Sequence, residues 1–289
     1  MIAVVGATGN TGRAVVKELK GLGQDPLCVV RNAEKAREVL GADVKTAVVA
    51  ELTDRAGLTK AFDGIKRVFV VTGHNPDAAK QQISVLDAAK AAGADVFVKV
   101  SGGAAIVGPN VESVVGRGHH EVEEAMKKSG IGWVILRPGL FMQNTFTQAA
   151  LIKSESKMVL PFAADMPVAL IDVRDTGAVG ARIVSKPEPH LGKSYEFTGT
   201  LSNFADFAKV FSEVLGRNIT YVGASLEQTE QAMRGRGMPD WLVGHMLAVA
   251  KAGAGGAFSK ENTGPIRDIV GRAPLTTRQF VEAHKAMFS

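Results

Sequence analysis

The chain opens on an apolar run that passes through a glycine-rich turn straight into a helix-like segment. Ile2–Val5 is a continuous apolar run with β-branched residues that ends at a glycine, which is typical of a short buried strand. Gly6, Gly9 and Gly12 follow within the stretch GATGNTG. From Thr11 onward, apolar residues recur at helical spacing, with basic residues on the opposite face. A strand, a glycine turn and a helix in this order favour a fold built from βα units.

Each glycine of this turn has its own physical task. Gly6 allows the tight turn, Gly9 lets the backbone approach a bulky anion, and Gly12 lets the helix pack close to the sheet. The start of the helix offers free N–H groups and the positive end of a dipole, which suit a diphosphate. A turn that serves structure alone is the competing interpretation. We predict a dinucleotide site formed by Gly6, Thr8, Gly9, Asn10, Thr11 and Gly12.

The composition is typical of a globular protein in a reducing compartment. With 289 residues, 46% of them hydrophobic, the chain can bury the core of one large domain or of one domain with a smaller attachment. Cys28 is the only cysteine, so no internal disulfide can form, and we expect a cytoplasmic location. No apolar stretch is long enough to cross a bilayer and no signal peptide is expected, so no membrane partner is predicted. The net charge of +5 is scattered along the chain, which argues against a nucleic-acid partner.

Strand and helix signals alternate through the first half of the chain. After the opening unit, the predicted strands are 26–30, 44–49, 68–71, 96–100 and 133–136. The predicted helices between them are 33–40, 58–62, 77–92 and 119–128. This alternation predicts an α/β fold with a doubly wound, Rossmann-type, mostly parallel sheet.

The second half is less regular. We predict that strands 168–171 and 195–197 return to the sheet around a helix at 176–184, which Asp175 would cap. Further helices are predicted at 204–215, 226–234, 241–252 and 277–287. We therefore expect an NAD(P)-binding Rossmann domain of residues 1–140, to which 168–200 return. Residues 141–167 and 201–289 would form a smaller C-terminal substrate-binding lobe over the carboxyl ends of the strands.

The tip of the second strand indicates which dinucleotide binds. An acidic residue there would bond the ribose hydroxyls, whereas a basic residue accommodates a 2′-phosphate. Arg31 lies about 20 residues after the glycine turn, the spacing expected for this residue, and Lys35 lies one helical turn further on. The sequence thus favours NADP(H) over NAD(H), with an exposed loop arginine as the competing interpretation. After the third strand, Glu51 and Leu52 are predicted to meet the adenine.

Several motifs together resemble one protein family and run over nearly the whole chain. They are GATGNTG at 6–12, VVRN at 29–32, HHEVEEAMKKSGIGWVILRPGLFMQN at 119–144, IDVRD at 171–175 and YEFTGTLS at 195–202. The chain resembles the NmrA-like, atypical short-chain dehydrogenases, and among them the NAD(P)H:quinone oxidoreductase branch. This resemblance implies a fold, a nicotinamide cofactor and a reaction class, but no particular substrate.

The resemblance also implies where the nicotinamide end of the cofactor lies. It would lie at strand ends on the same edge of the sheet as the glycine turn. Strand ends also need small or turn residues for purely structural reasons, which is the competing interpretation. The implied residues are Thr72, Gly73, Ser101, Gly102, Pro138, Gly139, Leu140 and Phe141.

The chain departs from ordinary short-chain dehydrogenases at the proton donor. Those enzymes carry Tyr-x-x-x-Lys, and alignment with the family on Ser129-Gly130 puts Val115 and His119 at the two places. The chain's two tyrosines, Tyr195 and Tyr221, lie outside such a motif. No tyrosine of the usual kind is therefore expected to act as the general acid.

His119 is the candidate catalytic residue in place of the tyrosine. It lies four residues before Glu123, so on a helix the carboxylate shares its face and could orient or charge the imidazole. His120 and Glu124 repeat the spacing on the neighbouring face, so the choice between the two pairs stays open. Solvated helix charges without a role in chemistry are the competing interpretation.

The favoured hypothesis is an NADPH-dependent oxidoreductase that transfers hydride to a quinone or a related electrophilic carbonyl or enone. Water can protonate a developing hydroquinone oxygen, so the missing tyrosine is compatible with this reaction. The alternative is an NmrA-like, dinucleotide-binding redox-sensing regulator without turnover. A sugar-nucleotide epimerase is disfavoured by the missing tyrosine.

No metal site is predicted. Four other histidines are dispersed along the sequence without the Cys or carboxylate spacing of a metal site. They are His74, His190, His245 and His284. The expected partner is a small-molecule substrate. The oligomeric state, a homodimer included, stays open.

Overall fold

A computed structural model describes residues 1–289, which form eleven strands and thirteen α-helices. The strands are β1 (Ile2–Val5), β2 (Leu27–Val30), β3 (Lys45–Val48), β4 (Arg67–Val70), β5 (Val96–Val100), β6 (Gly132–Pro138), β7 (Lys157–Leu160), β8 (Val168–Ala169), β9 (Lys193–Phe197), β10 (Leu201–Ser202) and β11 (Thr220–Gly223). The helices of the first half are α1 (Asn10–Gly21), α2 (Ala33–Leu40), α3 (Arg55–Ala61), α4 (Ala78–Ala91) and α5 (Val114–Lys128). Those of the second half are α6 (Ala149–Glu155), α7 (Val173–Ser185), α8 (Phe204–Leu215), α9 (Leu226–Gly235), α10 (Asp240–Ala254), α11 (Gly264–Val270), α12 (Thr277–Ala283) and α13 (Lys285–Phe288). None of the helices combines the length and the apolar character that a membrane span requires.

The main sheet has seven strands, all of them parallel, in the order β3-β2-β1-β4-β5-β6-β9. This order runs outward in one direction from β1 to β3 and in the other from β4 to β9. The strand order therefore reverses between β1 and β4, and open α/β sheets bind ligands outside the carboxyl ends of the strands at such a point. The predicted doubly wound parallel sheet is confirmed.

The central strands of the sheet are buried on both faces, which explains why β1, β2, β4 and β5 are largely apolar runs rather than alternating ones. Ile2 and Val4 enter one hydrophobic cluster together with α1 and α7. Ala3 and Val5 point to the other face and enter a second cluster with α3, α4 and α5. A third cluster, formed largely by residues after β6, is rich in phenylalanine and gathers α8, α12 and α13.

One of the two returning strands was predicted wrongly. β9 pairs with β6 and extends the main sheet, as expected. Val168–Ala169 instead pairs antiparallel with Leu201–Ser202, outside the main sheet. The backbone N–H groups of this segment are satisfied elsewhere, because Ala169 donates to the carbonyl of Phe258 at 2.8 Å and Ile171 donates to the carbonyl of Leu140 at 2.9 Å.

The predicted start of the helix at 176–184 was also wrong. α7 begins at Val173, and Asp172 caps it by accepting a hydrogen bond from the backbone N–H two residues later at 2.8 Å. Asp175 lies within the first turn, fully buried, where it accepts a hydrogen bond from Arg272 at 2.6 Å. Two aspartates stand in IDVRD, and the first takes the cap while the second anchors a C-terminal segment.

Two other predicted helices have different bounds. α5 begins five residues before His119, at Val114, because the side chain of Ser113 accepts a hydrogen bond from the backbone of Gly116 at 2.9 Å. The predicted helix 277–287 is interrupted at His284, whose φ of −117° separates α12 from α13.

Candidate functional site

A cleft of about 690 Å³ lies at the carboxyl edge of the sheet, across the point where the strand order reverses. It runs from the tips of β2 and β3 over the glycine turn to the ends of β4 and β5. The predicted site residues that line it are Gly6, Thr8, Gly9, Asn10, Thr11, Gly12, Arg31, Glu51, Leu52, Thr72, Gly73, Ser101, His119 and Phe141.

The glycine turn packs so closely that two of its glycines have no room for a side chain. Gly6 has a φ of +81°, and a Cβ there would lie 1.7 Å from the carbonyl oxygen of Val71. A Cβ on Gly12 would lie 2.1 Å from the carbonyl oxygen of Gly6. Gly6 is therefore required by its left-handed backbone and by the close approach of Val71 after β4, and Gly12 by the packing of α1 against the glycine turn.

Gly9 is different, because its open side faces the cleft. A Cβ there would meet one neighbour within 4 Å, the carbonyl oxygen of Gly6 at 3.5 Å. Gly9 is the N-cap of α1 and no side chain caps the helix, so the N–H groups of the first turn lack an intrahelical or side-chain acceptor. An uncapped helix start beside a glycine that leaves space for a ligand fits a diphosphate.

The end of the cleft at the tips of β2 and β3 carries an unpaired cation. Arg31 follows β2, is exposed, and its guanidinium makes no ion pair or hydrogen bond within the chain. Ala50–Leu52 line the same end after β3. Lys35 does not line the cleft. Its backbone N–H donates to the side chain of Asn32 at 2.9 Å, which caps α2.

The other end of the cleft is formed by the segments that follow β4, β5 and β6. Thr72 is held by the amide of Gln82, which donates to the Thr72 hydroxyl at 2.7 Å. Phe141 and Gln143 line the cleft from the segment after β6. Besides Lys35, four predicted cofactor residues do not line the cleft, namely Gly102, Pro138, Gly139 and Leu140.

The packing around these four residues accounts for their positions. Pro138 is buried at the end of β6, and the backbone N–H of Gly139 donates to the carbonyl of Phe197 at 2.9 Å. Leu140 packs against the phenylalanine-rich third cluster. Gly102 lies behind the ring of His119, since a Cβ on it would be 3.4 Å from the His119 Cδ2.

His119 lies in the cleft, but its partner is not the predicted one. The Nζ of Lys99 lies 2.8 Å from the Nδ1 of His119. Glu123 is buried and accepts hydrogen bonds from Ser101 at 2.7 Å and from the Nη2 of Arg137 at 2.5 Å. The arginine fork satisfies the Glu123 carboxylate, so the expected His119–Glu123 contact was wrong.

Burial and charge keep the His119 imidazole neutral. Burial lowers the pKa of His119 well below its ordinary value, and the positive charge of Lys99 adds to this shift. Burial also lowers the pKa of Lys99 to about 7, against an opposing effect of the Glu123 carboxylate. At neutral pH the imidazole can therefore donate a hydrogen bond from one nitrogen while the other accepts.

Three histidines that are far apart in the sequence meet beside the cleft. The ring centroid of His74 lies 6.0 Å from that of His119 and 4.9 Å from that of His245, both edge-on. His245 is buried, and its Nδ1 lies 2.7 Å from the hydroxyl of Ser113. His74 and His245, which are dispersed along the sequence, are therefore neighbours in space. No group of three or more His, Cys, Asp or Glu side chains is arranged to hold a metal ion.

Lys99 was not predicted as a site residue, although the sequence carries a signal for it. Val96–Val100 reads VFVKV, a strand in which every residue is buried, and Lys99 has no exposed surface. A lysine inside a fully buried strand of a parallel sheet must find a partner. That requirement could have marked it as a site residue, whereas the approach of His74 and His245 left no comparable local signal.

Comparison with known proteins places the chain in one family. A model of the NmrA-like family matches residues 1–262. The chain is 35% identical to the NAD(P)H azoreductase of Xenophilus azovorans, over 100% of this chain and 99% of that protein. It is 30% identical to quinone oxidoreductase 2 of Escherichia coli (strain K12), over 97% of each chain.

The structural comparison agrees. The crystal structure of the Escherichia coli NADPH-dependent quinone oxidoreductase QOR2 complexed with NADPH superimposes with a TM-score of 0.83 at 26% sequence identity. The match covers 98% of this chain and 99% of that one. Since the family model and the relatives extend over most or all of its length, the chain belongs to the NmrA-like family.

Proposed function

We propose that the protein is an NADPH-dependent oxidoreductase that passes hydride to a quinone or a related electrophilic carbonyl or enone. One observation carries the proposal: a single cleft joins an uncapped helix start, a free arginine and a half-buried histidine without a Tyr-x-x-x-Lys pair. The relatives that match the chain over its whole length support a reductase, because two of them are named as an azoreductase and a quinone oxidoreductase.

The cleft has a place for each part of the cofactor. The N–H groups at the start of α1 bind the diphosphate, and the open side of Gly9 lets it approach the backbone. Thr72, Ser101 and His119 surround the opposite end, where the reduced nicotinamide supplies a hydride when bound. Phe141 and Gln143 also line the cleft, from the segment after β6.

NADPH is preferred over NADH because of Arg31. The guanidinium is planar, permanently charged and unpaired at the adenosine end, which suits a 2′-phosphate. Glu51 could bond ribose hydroxyls instead, but it lies in the loop after β3 and not at the tip of β2.

His119 donates a hydrogen bond to the acceptor oxygen as hydride arrives on the acceptor. A neutral imidazole has one N–H group, and donating it to a developing oxyanion stabilises the negative charge there. A quinone becomes a hydroquinone, whose oxygens take protons readily, so no tyrosine is needed. The alternative of a regulator without turnover lacks an observation of this kind in its favour.

The function is tested by mixing purified protein with NADPH and a panel of quinones and enones. We expect the nicotinamide absorbance to fall only when an acceptor and active protein are both present. Gly12→Ala, which breaks the packing of the glycine turn, serves as the inactive control. Tight NADPH binding with no absorbance loss for any acceptor would reject the reductase and favour the regulator.

Three further expectations belong to this proposal. The protein acts in the cytoplasm, which its single cysteine fits, since Cys28 is buried and unpaired. Its partner is a small-molecule substrate. Residues 1–140 with 168–200 bind the cofactor and the remainder forms the substrate lobe, to which the cleft-lining Asn144 belongs.

A further inference from the structure

We propose that Lys99 is a positioning residue for His119, fixing the imidazole tautomer that presents Nε2–H to the acceptor and replacing the proton that His119 gives up. The proposal rests on the proposed function for the second of these roles. The first role, the tautomer, is a property of the protein alone.

The tautomer follows from the contact between the two side chains. The Nζ of Lys99 lies 2.8 Å from the Nδ1 of His119, and in its charged form lysine has N–H donors but no acceptor, so the ammonium donates to Nδ1. An Nδ1 that accepts carries no proton, so the proton of the neutral imidazole is on Nε2. Lys99 also donates to the carbonyl of Val100 at 3.1 Å, which fixes the direction of its Nζ.

The protonated nitrogen faces the cleft. The Nε2 of His119 makes no hydrogen bond within the chain, and it is not among the buried polar atoms that lack a partner. Its imidazole lines the cleft beside Thr72 and Ser101. An unpaired N–H that is not buried, on a residue that lines the cleft, is placed to meet an acceptor oxygen.

The titratable groups around Lys99 and His119 come from five parts of the fold. From α5 and β6, Glu123 and Arg137 form a buried ion pair of opposite charges, and Glu196 on β9 lies 3.4 Å from the same arginine. The imidazole of His74, after β4, contacts that of His119, and the imidazole of His245 on α10 contacts that of His74. With Glu123 held by Arg137, Lys99 is the donor that is left to orient His119.

The proton step balances within this pair. As hydride forms a bond to the acceptor, the Nε2–H bond breaks and an O–H bond forms on the acceptor oxygen. In the same step an N–H bond of the Lys99 ammonium breaks and an N–H bond forms on Nδ1, so the imidazole stays neutral and Lys99 becomes a neutral amine. After the product leaves, a proton from water at Nε2 returns to Lys99 by the reverse path.

The electrostatics suit this exchange. Burial lowers the pKa of Lys99 to about 7, so the ammonium can give up a proton near neutral pH. An ordinary lysine, with a pKa of about 10.4, would hold its proton too firmly for the same task.

The test uses full-length protein with 15N-labelled histidine and reads by NMR which nitrogen of His119 carries the proton. In the wild type we expect Nε2–H. In Lys99→Met, which keeps the length of the side chain but has no donor, we expect the proton to redistribute between the nitrogens and the pKa of His119 to rise. Lys128→Met, an exposed lysine on the same helix as His119, is the matched control and should change neither.

Kinetics then test the proton supply. For quinone reduction we expect Lys99→Met to lower kcat about 100-fold with little change in the KM for NADPH, and to remove the kcat transition near pH 7. Lys99→Arg is the second variant, because arginine keeps a donor and a charge but does not release a proton. We expect it to retain the tautomer while the pH transition is lost.

The outcomes separate the two proposals. A wild-type His119 with its proton on Nδ1, or an unchanged tautomer in Lys99→Met, overturns the role of Lys99 whether or not the protein reduces quinones. An Nε2–H tautomer that depends on Lys99, in a protein that oxidises no NADPH, supports the positioning role and rejects the reductase. If Lys99→Met only lowers the stability of the fold and leaves the His119 tautomer and the pH profile unchanged, the positioning role of Lys99 is also overturned.

Discussion

Arg31 has one task in this account, and its surroundings make that task separable from folding. The residue is exposed, unpaired and lines the cleft at the tip of β2, where we propose that the adenosine binds. Arg31→Ala should therefore weaken NADPH binding by about tenfold or more, the loss of a charge-assisted contact, and leave NADH binding unchanged. Titration of both cofactors against the wild type and the variant measures this.

A neighbouring arginine provides the control for that titration. Arg37 is exposed on α2 and does not line the cleft, so Arg37→Ala should bind both cofactors as the wild type does. An equal loss of NADPH and NADH affinity in Arg31→Ala, or no loss, would remove Arg31 from the phosphate site.

His245 should make the fold sensitive to mild acid. Burial, with a smaller effect of His74, lowers the pKa of His245 from 6.5 to about 4. Between pH 6.5 and pH 4, His245 is therefore protonated in the unfolded chain but neutral in the folded chain. The stability contributed by this neutral histidine is full above pH 6.5 and is lost as pH falls toward 4, at about 1.4 kcal/mol per pH unit.

Thermal unfolding of wild type and His245→Gln, each at neutral pH and at about pH 5, tests this linkage. We expect the variant to lose less of its melting temperature on acidification than the wild type does. Parallel losses in the two proteins would show that His245 does not carry the effect.

At the scale of one element, replacing a glycine of the turn by alanine should have different effects at Gly12 and at Gly9. Gly12→Ala puts a methyl group 2.1 Å from the carbonyl oxygen of Gly6, so α1 must move away from the sheet. We expect it to destabilise the fold by about 1–3 kcal/mol, measured by chemical denaturation.

Gly9→Ala should leave the fold intact and weaken the cofactor. Gly9 has a φ of −75°, which alanine adopts without strain, and the added methyl group meets only an oxygen at 3.5 Å. That methyl group occupies the space through which a diphosphate approaches the helix start, so NADPH affinity should fall by about tenfold or more. If Gly9→Ala were destabilised but bound NADPH with normal affinity, Gly9 would serve the fold and not the binding of the diphosphate.

The elements of the first half could be predicted because each carries its own signal. β1, β2, β4 and β5 are short apolar runs bounded by turns, and the helices between them show one apolar face. β8 and β10 have two residues each and pair with one another across the 31 residues 170–200, so no local pattern marks them. α7 was found but misplaced at its start, because two aspartates compete for the cap.

At the scale of the whole molecule, the sequence predicted the sheet edge on which the site lies but not the side chains that complete it. Strand polarity alone brings Gly6, Arg31 and Thr72 to one edge, and those residues line the cleft. His245 reaches that region from α10, in the part of the chain beyond the sheet. Such an approach depends on how the C-terminal helices pack against α5, which is a tertiary property.

The central claim is that the bare start of α1 binds the diphosphate of NADPH. The most direct test is a crystal structure of the wild-type protein with NADPH. We expect diphosphate oxygens within hydrogen-bond distance of the backbone N–H groups of Asn10–Gly12, the 2′-phosphate at Arg31 and the nicotinamide beside His119. NADPH bound elsewhere on the protein, with this helix start left bare, would contradict the account.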